Sequence, residues 1–528
     1  MCGEGGTERP AFGCGSAMTV AKVRLADLLI GLTTVADLGM GQPIGSAART
    51  GHVALRVAMA LGCRLETVSD VFYAGLLQHI GCTAYSHEAS LLFADELSIK
   101  RASLETDFDR PAEVLFGYLP RIAREAPAGE SLRTATNAVL RSRGLVAGYS
   151  RANCEVASVV AQRLGLPDGV RAGLLDMFER WDGRGLPRHA RGENVSIVAR
   201  IVTVAGCAAL FDRIGGPAEA IDAVRRRSDR VLDPSVAAAF CDTAMDIHDE
   251  FAESGSDTVL DLEPLPRLVG DDGSLDTVLR AFGEAVDLKS PYLHGHSTGV
   301  ADIAGRAART LRLPASDIGD VVRAGHVHDL GRAAVPSRVW DQPGVLNRDA
   351  WSQVHLHAYH SEQILRRSPT LARIAALAGA HHERNDGSGY HRGTSRRGLP
   401  MPARLLAAAD VWQALRSDRP HRPGLSSRNA TAELTAMSRV GTLDGDAVAS
   451  VLATVDGTAA RIRTADGLTE RQIDVLRLVC SGLSNKAIAD RLRISPRTAE
   501  RHVQDIYLRI GVSSRAAAAM YAMEHSLL

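Results

Sequence analysis

The densest chemistry in this chain lies between His296 and Asp410. The run His381-His382-Glu383-Arg384-Asn385-Asp386-Gly387-Ser388-Gly389-Tyr390 sets adjacent imidazoles and an acid ahead of a Gly-rich turn. Such a run packs poorly inside a helix but suits a buried metal edge that opens onto a loop. Upstream stand His296, the doublet His328-Asp329 and His357, and downstream Asp410 closes the apolar run Leu405–Ala409. Imidazole and carboxylate hold hard or borderline divalent ions, iron or manganese among them. A carboxylate can also bridge two such ions. The prediction is that His296, His328, Asp329, His357, His381, His382 and Asp410 converge on two divalent metal ions, iron or manganese. Ions so placed neutralise phosphate charge and activate water against a phosphodiester. Arg332 lies close enough to Asp329 in sequence to hold a phosphate oxygen. His294, His326, His355 and His360 are expected to flank the ligands.

The chain has 528 residues, which at roughly 100–200 residues per domain means about three domains. Lys+Arg and Asp+Glu are equal at 61 each, so any DNA contact must come from a local patch. Aromatic residues make up only 4%, which favours an all-helical protein packed through small side chains. None of the 8 cysteines forms a C-x-x-C pair. Cys63, Cys82, Cys154, Cys207, Cys241 and Cys480 sit in apolar helical contexts and read as buried, reduced thiols of a cytoplasmic protein. The longest largely apolar run, Ile201–Phe211, falls short of the ~18 residues of a membrane span. Residues 1–17 are Gly-rich, lack the order of a signal peptide and are read as a disordered tail.

Helical periodicity, punctuated by Gly, Pro and Asp or Ser, covers most of the remainder, and strand signals are nearly absent. The expected division is a helical domain at 18–253, a linker at 254–273, the ligand-bearing domain at 274–456, a linker at 457–466 and a last domain at 467–528. The first domain repeats the second. Glu179-Arg180-Trp181-Asp182-Gly183-Arg184-Gly185 parallels Glu383 to Gly389 at an offset of 383 − 179 = 204. That offset sets Asn153, Met177, Phe178 and Gly206 against His357, His381, His382 and Asp410, and none of these can hold a divalent ion. Leu77-Gln78-His79-Ile80-Gly81 parallels the His328-Asp329 stretch, and Arg49-Thr50-Gly51-His52 parallels the His296 segment. His52 and His79 are expected to be ordinary core or surface histidines. A turn kept where its ligands are gone serves structure as well as chemistry.

His296, His328-Asp329 and Asp410 together resemble the H…HD…D signature of HD-superfamily phosphohydrolases. The added His357, His381 and His382, with Asp386-Gly387-x-Gly389-Tyr390, resemble the HD-GYP branch. The resemblance covers about Asp287–Val455. It implies a helical bundle with a metal centre that hydrolyses cyclic di-GMP or a related cyclic dinucleotide, with Asp329 and Arg332 catalytic and Arg332, Gly389 and Tyr390 at the substrate. Tyr292 stands where three-metal members carry Glu, which points to two metals. Arg332 replaces the usual Lys, changing the geometry of the charge, and His391 replaces the final Pro of the turn.

The last stretch carries a capping box at Thr469–Gln472, caps at Ser484 and Ser495, and Pro496 at a first helical position. Two helices joined by Arg493-Ile494-Ser495 form a helix-turn-helix. Arg501 and Gln504 suit base edges, while Lys486, Arg497 and Thr498 suit phosphates. Thr498, Val503, Ile506 and Leu508 are expected to pack inward. Leu468-Thr469-x-Arg471, Gly482-Leu483-Ser484-Asn485-Lys486 and Gly511-Val512-x-Ser514-Arg515 resemble the LuxR/GerE-type DNA-binding domain, which implies a bacterial regulator that binds double-stranded DNA as a homodimer.

The fold expected is therefore all-α, with two tandem HD-type bundles followed by a four-helix helix-turn-helix domain. The function expected is a DNA-binding transcriptional regulator whose HD-GYP-like phosphodiesterase domain acts on or senses a cyclic dinucleotide. The alternatives are a non-catalytic, metal-dependent nucleotide sensor and a plain DNA-binding regulator on HD scaffolds.

Overall fold

The computed structural model describes residues 23–125, 131–455 and 468–528. The tail expected at 1–17 and the linker expected at 457–466 lie outside the described residues. Helices dominate, and the regular sheet among the described residues is a single antiparallel pairing of Val23–Arg24 with Leu268–Val269.

The repeat read from the sequence is a repeat of helices. Helix Ser46–Ala60 matches His296–Thr310, and Leu65–Leu77 matches Ala315–Val327, both at an offset of 296 − 46 = 315 − 65 = 250. Asp168–Leu175 matches Ala372–Gly379 at 372 − 168 = 204. The first helix of each pair starts after a glycine in the left-handed region, Gly45 at φ 91° and Gly295 at φ 76°. In each, a buried carboxylate further upstream caps the new helix. Asp37 accepts from the backbone N–H of Gly45, Ser46 and Ala47, and Asp287 accepts from the N–H and hydroxyl of Ser297. This register corrects one sequence alignment. Ser46, not a residue near His52, stands where His296 stands, because the Gly turn and its capping Asp fix the helix start.

A second correction concerns 254–273. Helix Pro234–Asp261 runs through the first part of that segment. A lone Gly255 costs only about 1 kcal/mol in a helix, while Val259, fully buried, extends the apolar stripe. The connector proper is short, and its Glu263 is held by Arg24 at 2.8 Å.

The halves share one continuous apolar core, which also takes in the last four helices. The contact between them includes several polar pairs, Thr83 with Ala285, His87 with Asp341, Ser368 with Asp27 and Arg163 with Glu284 among them, and one deeply buried cluster. Lys289 Nζ lies 3.1 Å from Glu96 Oε1, both side chains 1% exposed, and Ser337 donates to the same oxygen through its N–H and hydroxyl. Helices Glu470–Cys480, Asn485–Leu492, Pro496–Ile510 and Arg515–Glu524 form the last unit, with Thr469, Ser484, Ser495 and Ser514 as side-chain caps.

Candidate metal centre

The predicted ligands come from separate helices and meet. His296 opens its helix. His328 and Asp329 sit where helix Ala315–Val327 gives way to a 3-10 turn at Leu330–Ala334, so both side chains can turn inward. His357 lies mid-helix in Arg348–Arg366, and His381-His382 follow the end of Ala372–Gly379. Asp410 comes from Met401–Arg416. Three overlapping groups have ligand atoms within 4.8 Å of one another: His296, His328 and Asp410; His328, Asp329 and His381; His357, His381 and His382.

The two oxygens of Asp329 face different sets of imidazoles. Oδ2 lies 3.4 Å from His296 Nε2 and 3.2 Å from His328 Nε2. Oδ1 lies 3.3 Å from His357 Nε2 and 3.5 Å from His381 Nε2. Asp410 repeats the pattern, with Oδ1 3.1 Å from His296 Nε2 and Oδ2 3.8 Å from His382 Nδ1. These atoms are close yet poorly aligned for hydrogen bonds: both Asp329 oxygens, both His296 ring nitrogens and His328 Nε2 are buried with no hydrogen-bond partner. Buried polar atoms left unpaired are costly.

Backbone carbonyls set the ring orientations. His328 Nδ1 donates to Gly325 O at 2.8 Å, His381 Nδ1 to Ala378 O at 2.6 Å, and His357 Nδ1 to Val354 O. Each bond spans one helical turn backwards and leaves the Nε2 lone pair pointing inward, the tautomer a metal needs. As a result His357 Nε2 and His381 Nε2 face each other at 3.0 Å as two acceptors. Such a donor set fits divalent cations. Without a cation, protons must compensate. Burial alone would lower His328, but the carboxylates of Asp329 and Asp410 outweigh it and push it up to about 10. Burial drives His381 down to about 4. Asp329 and Asp410 sit well below the carboxylate range: desolvation opposes this, but is outweighed at Asp329 by Arg332, His328 and His296, and at Asp410 by His296, His328 and His382.

The predicted substrate groups are placed less simply. Arg332 Nε lies 2.8 Å from Asp329 Oδ2, and its guanidinium sits 4.6 Å above the Trp340 ring, so its charge is already engaged. Tyr390 stacks on His355 at 4.1 Å and packs against His382 at 4.6 Å. Gly389 closes its own turn: a Cβ there would sit 2.4 Å from His382 O and 2.5 Å from Arg384 N. Arg419 was missed by the sequence reading. Its burial, with Arg332 nearby, lowers it to about 10, and it donates to Tyr292 O at 3.4 Å. No spacing rule ties Arg419 to the distant ligands. Glu383 was also given no role of its own, yet its carboxylate accepts from Arg392 N at 2.8 Å and Thr394 N at 2.6 Å and so folds the loop back.

A family model for the HD domain matches residues 280–447, and one for bacterial regulatory proteins of the luxR family matches residues 466–522. The chain is similar to the 3'3'-cGAMP-specific phosphodiesterase 3 of Vibrio cholerae, at 30% identity over 77% of this chain and 90% of that protein. The chain belongs to the HD-domain phosphodiesterase family. A crystal structure described as a cyclic GMP-AMP specific phosphodiesterase of V. cholerae superposes with a TM-score of 0.53 at 25% identity, covering 83% of this chain and 99% of that one. The cyclic di-GMP phosphodiesterase of Thermotoga maritima is 31% identical over 30% of this chain and 44% of its own length.

The first half copies the HD-domain turn without its ligands. Glu179 accepts from Arg188 N at 2.7 Å and Ala190 N at 2.9 Å, each donor 204 residues before its counterpart. Gly185 is as tightly enclosed as Gly389, a Cβ there meeting Arg180 N at 2.3 Å. Gly183 and Gly387 share φ +80°. Asn153, Met177, Phe178 and Gly206 occupy the ligand places, as the sequence indicates.

In the LuxR-type domain, Lys486, Arg497, Thr498, Arg501 and Gln504 are all exposed, on or beside helix Pro496–Ile510. The inward face of that helix is Ala499, Val503, Ile506 and Tyr507. Two packing assignments are corrected: Thr498 is exposed and Leu508 is 81% exposed, because Tyr507 takes the inward position one residue earlier. The domain is seated against the HD domain. His294 Nδ1 donates to Cys480 O at 2.7 Å, and Gly295 N lies 3.1 Å from Met523 Sδ. No helix among the described residues is long and apolar enough to cross a membrane.

Proposed function

We propose that the protein is a cytoplasmic transcription regulator whose HD domain hydrolyses a cyclic dinucleotide at two divalent ions and whose LuxR-type domain binds double-stranded DNA as part of a homodimer. The domain division proposed runs from 18 to the end of helix Pro234–Asp261, from helix Asp272–Asp287 to 456, and over 467–528. The observation that carries the catalytic part is Asp329, whose two oxygens face separate imidazole groups. His296, His328 and Asp410 would hold one ion and His357, His381 and His382 the other, with Asp329 shared. Iron or manganese suits this set of imidazoles and carboxylates. Bound ions would supply charge neutralisation at the phosphate and a nucleophile at neutral pH. Arg332 fixes Asp329. Tyr390, braced between His355 and His382, forms one wall beside the ligands, and Gly389 lets that wall close. The two named V. cholerae and T. maritima relatives support cyclic dinucleotides as the substrate class.

A sensing role beside hydrolysis rests on the seat of the DNA reader. His294 and Gly295, which touch that domain, immediately precede the ligand His296. A ligand that prefers one position of this turn biases the reader by its differential affinity. Arg501 and Gln504 would read bases, and Lys486, Arg497 and Thr498 phosphates. The test is metal analysis of the purified chain with hydrolysis of 3'3'-cGAMP and cyclic di-GMP, alongside DNA binding with and without each nucleotide. Turnover that follows metal content is expected. A metal-loaded chain that binds nucleotide without turnover would make it a sensor. A chain indifferent to both metal and nucleotide would make it a plain DNA binder.

A further inference from the structure

The first half contains a cavity of about 290 Å³ at the place its repeat partner gives to the metal ligands. Its lining includes Ser46, Gln78, His79, Met177, Phe178 and Gly206. By the helix correspondence above, these stand for His296, His328, Asp329, His381, His382 and Asp410. The cavity keeps one imidazole, His79, from the ligand places and has lost their carboxylates. Arg213 and Arg227 also line it, as does Asp107, whose carboxylate is taken up by Arg230 at 3.2 Å. Arg213 donates to Ser46 Oγ at 2.6 Å, reaching the residue that replaces His296. In the second half the corresponding position, 213 + 204 = 417, is Ser417. Arg227 is 8% exposed, lies 4.7 Å above the Phe211 ring and donates to Ala223 O at 3.2 Å. Among the described residues neither guanidinium has a carboxylate at ion-pair distance. Gln42, 8% exposed, lines the same space, and its Nε2 has no hydrogen-bond partner; nor does His79 Nδ1.

These features describe a receptor. One buried and one half-buried guanidinium, with orphaned polar groups beside them, call for an anion with hydrogen-bonding capacity. Met177, Phe178 and Leu210 give the same cavity an apolar wall, which calls for a flat organic body. Its volume lies at the lower end of the ~300–1,000 Å³ of small-molecule sites, room for one nucleotide unit.

We propose that the first half binds a nucleoside monophosphate without metal, its phosphate on Arg213 and Arg227 and its base against Met177 and Phe178. Such a ligand is the size of the final hydrolysis product of a cyclic dinucleotide, so the cavity reports product rather than processing substrate. The binding itself needs neither metal nor turnover and is tested apart from the proposed activity; its reading as product binding rests on that activity.

The test is isothermal titration of the full chain, stripped of metal by chelation, with GMP, AMP, inorganic phosphate and cyclic di-GMP. Saturable binding of one monophosphate per chain is expected, with inorganic phosphate and cyclic di-GMP much weaker. Arg213→Gln should weaken it by about tenfold or more, the loss of a charge-assisted hydrogen bond, and Arg213→Lys should restore part. Gly206→Met, which fills the floor beside Gln78, should abolish it, and Asp329→Ala should leave it unchanged. No saturable binding to the chelated chain overturns the proposal. So does binding that survives both Arg213→Gln and Gly206→Met, binding lost in Asp329→Ala, or inorganic phosphate or cyclic di-GMP binding as tightly as the monophosphates.

Discussion

The two halves of this molecule build the same turn with the same hydrogen bonds and use it differently. Glu179 and Glu383 each accept two backbone N–H groups from the returning loop, and Gly185 and Gly389 each leave a space that a Cβ would fill with backbone. In the second half this frame aims His381 and His382 at a shared centre. In the first it aims Met177 and Phe178 at a cavity. The lesson is that the Glu-Arg-x-Asp-Gly-x-Gly turn is a positioning device, separable from the ligands it carries, so the turn alone is no sign of catalysis.

The sharpest way to break this comparison is to exchange its central pair. Asp329→Ala removes the carboxylate facing both imidazole groups and should cut hydrolysis by about three orders of magnitude or more, as expected when several kcal/mol of metal-supplied stabilisation is lost. His79→Ala, at the equivalent place, should leave turnover intact. Equal losses in the two variants, measured with matched metal content, would sink the division of labour.

The next effect tests the seam between the halves. Glu96→Ala strands Lys289 in a buried site, and breaking such a pair costs about 3–5 kcal/mol. Chemical denaturation should show that loss, and Glu96→Gln, which keeps the oxygen that Ser337 reaches, should lose less. A third, smaller effect separates frame from chemistry. Glu383→Gln weakens the loop that orients His381 and His382 and should lower metal affinity by about 10–100-fold, as for other groups that support ligands from behind. Glu179→Gln should destabilise the first half and leave metal content unchanged; metal titration followed by thermal unfolding distinguishes them.

Much of this was legible in the sequence where the signal is local. The candidate ligand side chains, the repeated turn and the caps at Thr469, Ser484 and Ser495 each follow from residue type at a fixed spacing; the candidate ligand side chains lie close together, and the three caps form. What escaped depends on atoms that spacing does not encode. The carbonyls of Gly325, Val354 and Ala378 fix the ring tautomers, yet every residue has a carbonyl. Arg332 lies flush with Asp329 and Trp340 because burial leaves it no solvent, which no motif states. The shift from His52 to Ser46 came from trusting similar letters over the Gly turn that starts the helix. The helical extension to Asp261 came from reading Ser and Gly as breakers where Val259 carried the packing on.

The small pairing of Val23–Arg24 with Leu268–Val269 has a consequence for cleavage. Leu25 N donates to Arg267 O at 2.7 Å, so the earliest described backbone is clasped to the connector while Leu265 there is 37% exposed. A nick at Pro264-Leu265, by an endopeptidase that cuts after proline, would therefore yield two pieces that still migrate together on a native gel and part only in detergent.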